Sequence, residues 1–325
     1  MKPGSLPAAA LAALVAGCAG SPRLAEGLPP ASPRIIELAD TPFFPQQDYQ
    51  CGPAALATLL RVSGVDVTPE QLAPQVYLPA RRGSLQAELV AAARRHGRMP
   101  YALETTAHEL IAELEEGRPV LVLLNLGARL RPVWHYAVLI GYDAGLDHAI
   151  LRSGRERRLE MPWEKFALGW HRAGRWAITT LDPRSVPAHA KPPRYLEAAA
   201  ALESAGQPAA AATAYDTAIA RWPEEPLAYF GRGNVAYAAG ELASATDKYL
   251  RAIQLAPENA AARNNLAQAL ADLGCIGAAR RQAARAAELA TGTPLAAQTA
   301  DTSAQLEGRK ELPGSCRITD RIWPD

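Results

Sequence analysis

Apolar positions change their spacing along this chain, and each change marks a different kind of element. After a turn-rich stretch, the run from Cys51 to Val62 is apolar at helical spacing and predicts a helix. Ser84 to His96 predicts another, with Leu85, Leu89, Val90 and Ala93 on one face. Ala107 to Glu116 predicts a third, and Gly117 is a natural stop for it. The pattern then changes. PVLVLLNL, Pro119 to Leu126, is a short apolar run bounded by Pro and Gly, the mark of a buried strand. His135 to Tyr142 predicts a second strand. His148 to Arg152 pairs back on it through a turn at Asp143–Asp147, and Arg175 to Thr180 adds a further strand. Helices first and an antiparallel sheet afterwards predict an α+β domain.

Beyond Pro187 the chain is Ala-rich, helical and periodic. Gly206, Gly240 and Gly274 recur at intervals of 34, as do Ala211, Ala245 and Ala279. Pro223 and Pro257 keep the same period, and so do Tyr215 and Tyr249. Small residues where two helices cross, with Pro closing the unit, resemble the tetratricopeptide repeat. The best copy runs from Ala228 to Asn259. The third lacks the closing Pro and has Ala283 where an aromatic is usual. About three units over 192–293 predict an all-α second domain, with a capping helix from Ala296 to Leu306 in a C-terminal segment 294–325.

Composition adds little to this division but excludes some functions. A length of 325 residues suits about two domains, and 49% hydrophobic residues supply real cores. The 34 basic and 33 acidic residues nearly cancel, so no electrostatic case exists for a nucleic-acid partner. The short basic clusters ARRHGR and RERR, near Arg94 and Arg155, read as solvated surface. No Cys/His spacing points to a metal, and nothing calls for a cofactor.

The first residues read as a targeting segment. Lys2 gives a positive start, Leu6 to Ala16 is an apolar stretch too short to span a bilayer, and Val15-Ala16-Gly17-Cys18 follows. Small residues immediately before a cysteine resemble the bacterial lipobox. That resemblance implies a signal peptide over 1–17, a lipid on Cys18, and anchoring in the cell envelope. Ala19 rather than Asp after the cysteine implies the periplasmic face of the outer membrane. Residues 18–33, rich in Pro, Gly and Ala, read as a tether to a domain over 34–186. Cys275 and Cys316 then remain in an oxidising compartment. A disulfide pinning the C-terminal tail and two free buried thiols are both open from the sequence.

Cys51 carries the chemistry. A thiol at the first turn of a helix meets unpaired backbone N–H groups and the positive end of the helix dipole, both of which favour thiolate. Pro53 suits the first turn, and Gly52 leaves room for a substrate to approach the backbone. The Cys51 N–H would help bind an oxyanion. His135 opens a strand, where its ring is held rigidly enough to act as base to a thiol. The other histidines lack this setting.

QQDYQCGPAALATLL together with the downstream HYAVLIGYD resembles the C39-like branch of the papain-like cysteine peptidases, a branch that includes leader peptidases cutting after double-glycine motifs. GSLQAELVAAARRHG, Gly83 to Gly97, fits the same family. The resemblance covers about Ile35 to Leu181. It implies a papain-like fold, with Cys51 as nucleophile, His135 as base and Gln46 on the oxyanion, Gln47 being the alternative donor. Relatives usually place an Asp at the end of the next strand to orient the histidine. Here AILRSGRERR puts Ser153-Gly154 there. Asp143, eight strand residues from His135 and so about 26 Å away, is too far. Ser153 is the orienter by motif, and Glu156 is the orienter by counting back from the Asp143–His148 turn.

These readings predict a membrane-anchored periplasmic cysteine peptidase acting on a peptide or protein substrate, with a repeat groove for a protein partner. The chain has no G-x-x-x-x-G-K-[ST] run, so it is not the exporter-fused form. Two other functions fit the same residues. One is an amidase or acyltransferase working through a thioester. The other is a non-catalytic assembly lipoprotein whose peptidase fold is degenerate.

Overall fold

The structure is a computed structural model that describes residues 35–45, 50–128, 130–310 and Cys316. Cys18, Gln46 and Gln47 lie outside the described residues. The first domain holds strands β1 (Ile35–Glu37), β2 (Met99–Ala102), β3 (Val120–Asn125), β4 (Trp134–Asp143), β5 (His148–Ser153), β6 (Glu156–Pro162) and β7 (Ala177–Leu181). They form one antiparallel sheet in the order β2-β7-β3-β4-β5-β6, and β1 pairs with the far end of β4. Helices α1 (Cys51–Val62), α2 (Pro69–Val76) and α3 (Gln86–Arg95) cover one face. Helices α4 (Ala107–Glu115) and α5 (Trp163–Arg172) cover the other.

Strand alternation builds the two cores. Leu121, Leu123, Tyr136, Val138 and Ile140 point toward Leu56, Leu59 and Leu60 of α1. Val120, Val122, Leu124, Ala137 and Leu139 point toward Leu110, Phe166 and Trp170. The central strands β3 and β4 are buried on both faces, which is why they read as continuous apolar runs.

Three sequence expectations shift. Leu85 is extended (φ −96°, ψ 154°), so the helix expected from Ser84 starts at Gln86 and leaves Ser84 in the preceding loop. The strand expected from Arg175 starts at Ala177, because Gly174 (φ +72°) and Arg175 (φ +55°) form a left-handed turn. Helices α2 and α5 and strands β1, β2 and β6 escaped the sequence pattern. They are short, or carry Pro and charge that blur the period, as in ERRLEMP.

Helix pairs follow: α6 (Pro192–Ser204) with α7 (Pro208–Arg221), α8 (Pro226–Ala238) with α9 (Leu242–Leu255), and α10 (Ala260–Asp272) with α11 (Ile276–Ala290). The expected capping helix is α12 (Ala296–Glu307). The 34-residue glycines have a physical reason: Gly206, Gly240 and Gly274 take φ of +72°, +76° and +83°, where a side chain would be strained. Ala211, Ala245 and Ala279 are fully buried at the crossings. A Cβ on Gly233 would lie 2.6 Å from the Tyr249 ring, so glycine there lets the helices approach. Cys275 and Cys316 form a disulfide, which ties the tail to the start of α11.

The first repeat shares the core of the sheet domain. Tyr195, Leu196 and Leu202 of α6 belong to the same apolar cluster as Val122 and Leu139. The Tyr195 hydroxyl is 3.1 Å from the carbonyls of both Pro183 and Ser185, and Gln207 Nε2 donates to Arg95 O at 3.1 Å. The link between domains is therefore fastened by packing and by hydrogen bonds.

Candidate active site

Cys51 is the first residue of α1, with Gln50 as N-cap and no acidic residue in the first turn to repel a thiolate. Its backbone N–H and that of Gly52 point at the sulfur, and so does the N–H of Tyr136. Tyr136 has this N–H to give because β4 outruns β5. The β4–β5 register stops at Val138↔Arg152, so Tyr136 lies beyond the paired length on that edge.

The electrostatic balance differs from the sequence expectation. These three donors pull the thiol pKa down, but burial outweighs them and pushes it above its ordinary value. His135 is half-buried with no carboxylate beside it among the described residues, and burial holds its imidazole below its ordinary range. Both shifts favour a neutral thiol and a neutral ring before substrate arrives.

His135 Nε2 is 2.8 Å from Ser153 Oγ. That contact commits the ring's outer nitrogen and leaves Nδ1 as the nitrogen for a proton from sulfur. Ser153 is nearly buried at the end of β5. Glu156 does not come opposite His135. The register slips by one between Leu139 and Gly141, and the chain turns at Gly154 (φ +61°) into β6. Glu156 therefore faces Ser153 across the hairpin and is exposed. Asp143 accepts from Gly145 N and Leu146 N, 2.8 and 3.0 Å, and so fixes the β4–β5 turn instead.

Gly52 has a different role from the one expected. A Cβ there would run into the Ser84 side chain, so Gly52 makes room for the loop before α3 rather than for a substrate. Ser84 Oγ is buried with no hydrogen-bond partner among the described residues. Its backbone carbonyl accepts from the Tyr136 hydroxyl at 3.3 Å.

A cleft of about 880 Å³ opens over these groups. Cys51 and His135 both line it, together with Leu85, Trp134, Arg81 and Arg155. Arg155, read from the sequence as solvated surface, thus stands on the wall of the cleft. Neither arginine was singled out for the site, because nothing in the sequence tells which loops border Cys51.

Arg152, which the sequence did not mark, supports the approach to Cys51. Its buried guanidinium donates to the carbonyls of Ala39 (2.7 Å), Thr41 (3.0 Å) and Arg157. Those bonds hold the segment that leads toward the nucleophile.

With this geometry in view, residues 38–178 match the model of the Peptidase_C39 like family. The sheet domain is C39-like. Residues 196–260 match the tetratricopeptide repeat model, so the C39-like domain is followed by a repeat domain. Among solved structures, a Bacillus anthracis protein described as a C39-like peptidase is 20% identical, with a TM-score of 0.38. It covers 45% of this chain, and the match takes in 97% of that protein. The Yersinia enterocolitica type III secretion translocator chaperone SycD is 16% identical over 37% of this chain and 86% of its own, with a TM-score of 0.35. The TPR2B domain of yeast Sti1, in a complex with pHsp70, is 20% identical over 34% of this chain and 95% of its own, with a TM-score of 0.32. No curated protein matches the chain.

Proposed function

We propose that the C39-like domain is a cysteine peptidase and that the repeat domain binds a protein substrate or adaptor. The observation that carries the reading is one cleft lined by a helix-N-terminal thiol and a histidine whose Nε2 is already taken by Ser153. On substrate binding, His135 Nδ1 takes the Sγ proton as sulfur attacks the scissile carbonyl. The oxyanion is received by the Cys51 N–H and by the side-chain amide of Gln46, with Gln47 the other candidate. The imidazolium then gives its proton to the leaving amine, and a thioester remains on Cys51. Water, deprotonated by the same imidazole, hydrolyses it and restores the thiol.

The reading extends to a lipid on Cys18, which would hold the enzyme in the cell envelope at the periplasmic face of the outer membrane. Double-glycine-like bonds are the first substrates to try. One observation favours a binding-only domain: the orienter Ser153 is uncharged and supplies no counter-charge to the imidazolium.

An electrophilic peptide probe on the full chain separates these readings. Labelling at Cys51 that falls at least tenfold in His135→Ala supports the peptidase. Labelling that is no faster than that of a free thiol, and unchanged by His135→Ala, overturns it.

A further inference from the structure

The cleft carries a charge pattern that narrows its substrate. Arg81, Arg82 and Arg155 line it, and no carboxylate does among the described residues. The arginines come from two separate loops. Arg81 and Arg82 sit between α2 and α3, and Arg155 sits at the tip of the β5–β6 hairpin.

Both loops are built rather than slack. Leu78 N donates to Gly83 O at 2.8 Å, and Arg81 N donates to Leu78 O at 3.0 Å, which closes residues 78–83 into a turn. Within it Arg82 has φ +46°, a conformation that costs a non-glycine residue and that persists where the surroundings impose it. On the other loop, Gly154 takes φ +61° and sets Arg155 over the cleft. The Arg81 and Arg155 guanidiniums are exposed and form no ion pair with the described residues. The rim also offers exposed apolar surface at Leu85 and Trp134.

We infer that the cleft selects peptides with Asp or Glu side chains close to the scissile bond, and with an apolar residue beside them. The inference rests on the peptidase reading for the word scissile, but its recognition step does not depend on turnover. Guanidinium forks take carboxylates bidentately, so each arginine supplies direction as well as charge. A neutral or basic segment would leave the cationic walls uncompensated. Each solvent-accessible pair is worth about threefold, and two multiply to about tenfold in affinity.

The test is equilibrium binding to the full chain carrying Cys51→Ala, which removes hydrolysis. The probes are a fluorescein-labelled decapeptide with Glu and Asp flanking a central Gly-Gly-Leu, and its Gln/Asn counterpart. The expected result is about tenfold tighter binding of the acidic peptide at low salt. The preference should fall to within twofold in Arg81→Gln/Arg155→Gln, and Arg81→Glu/Arg155→Glu should reverse it. Equal affinities for the two peptides overturn the inference. So does a preference that survives Arg81→Gln/Arg155→Gln, which would put acid recognition on the repeats. Binding of inorganic polyphosphate as tight as that of the acidic peptide also overturns it, because the site would then be a general polyanion surface. Failure of Cys51 to react with an electrophile would count against the peptidase reading alone.

Discussion

Ser153→Asp tests the weakest part of the proposed mechanism. A serine hydroxyl both donates and accepts, so at 2.8 Å it supports either tautomer of His135. Only the tautomer with the proton on Nε2 leaves Nδ1 free as a base. A carboxylate accepts only, so it enforces that tautomer and adds a counter-charge to the imidazolium. Its charge would sit roughly 4 Å from the ring, an attraction of about 4 kcal/mol at an effective dielectric near 20. Position 153 is only 8% exposed, so desolvating the new carboxylate offsets much of that gain. The remainder, about 1–3 kcal/mol, favours the imidazolium and raises the His135 pKa.

The sign follows from the two native shifts. Burial raises the Cys51 pKa and lowers that of His135, so the neutral pair dominates at neutral pH. Raising the histidine closes that gap and increases the thiolate–imidazolium fraction about 10- to 100-fold. The assay is the rate of Cys51 alkylation by iodoacetamide from pH 5 to 10, followed by mass spectrometry of the peptide that carries it. The natural protein should gain rate with pH and inflect above the ordinary thiol value. Ser153→Asp should add a plateau near neutral pH and speed peptide cleavage, whereas Ser153→Ala should slow cleavage. A Ser153→Asp profile identical to the natural one, with Ser153→Ala equally unaffected, would refute the orienting role.

Arg152→Met removes a buried guanidinium and orphans the carbonyls of Ala39, Thr41 and Arg157, so chemical denaturation should show a loss of about 3 kcal/mol. Cleavage should fall further than stability alone explains, because residues 39–41 lead toward Cys51. Gly52→Ala should destabilise the first domain by about 1–3 kcal/mol through its clash with Ser84, and Ser84→Gly on top should restore most of that in a double-mutant cycle. Reducing the Cys275–Cys316 disulfide, which closes a separation of 41 residues, should lower the stability of the repeat domain by up to about 4 kcal/mol. A melting curve with and without reductant reads that loss, which should fall first on the later repeats, whose apolar cluster holds Cys275 and is separate from that of the sheet domain.

The sequence by itself determined whatever depends on local spacing. Helix α1 begins at Cys51 because Gly-Pro and an apolar run follow it, and the strands around Leu121 and Val138 are apolar because both faces are covered. The 34-residue glycines announced the repeats because each must turn the chain with positive φ. Ser153 is legible as a motif position, whereas the slip at Leu139/Gly141 that keeps Glu156 from lying opposite His135 is not. Only the tertiary structure decided what depends on neighbours distant in the chain. Burial, set by the packing of α1 on the sheet, outweighed the helix-end donors at Cys51. Ser84 came to rest against Gly52, the Cys275–Cys316 pair closed, and Arg81 and Arg155 met across one cleft. Spacing along a chain carries periodicity and caps, whereas desolvation and cleft walls arise from surfaces brought together only by the fold.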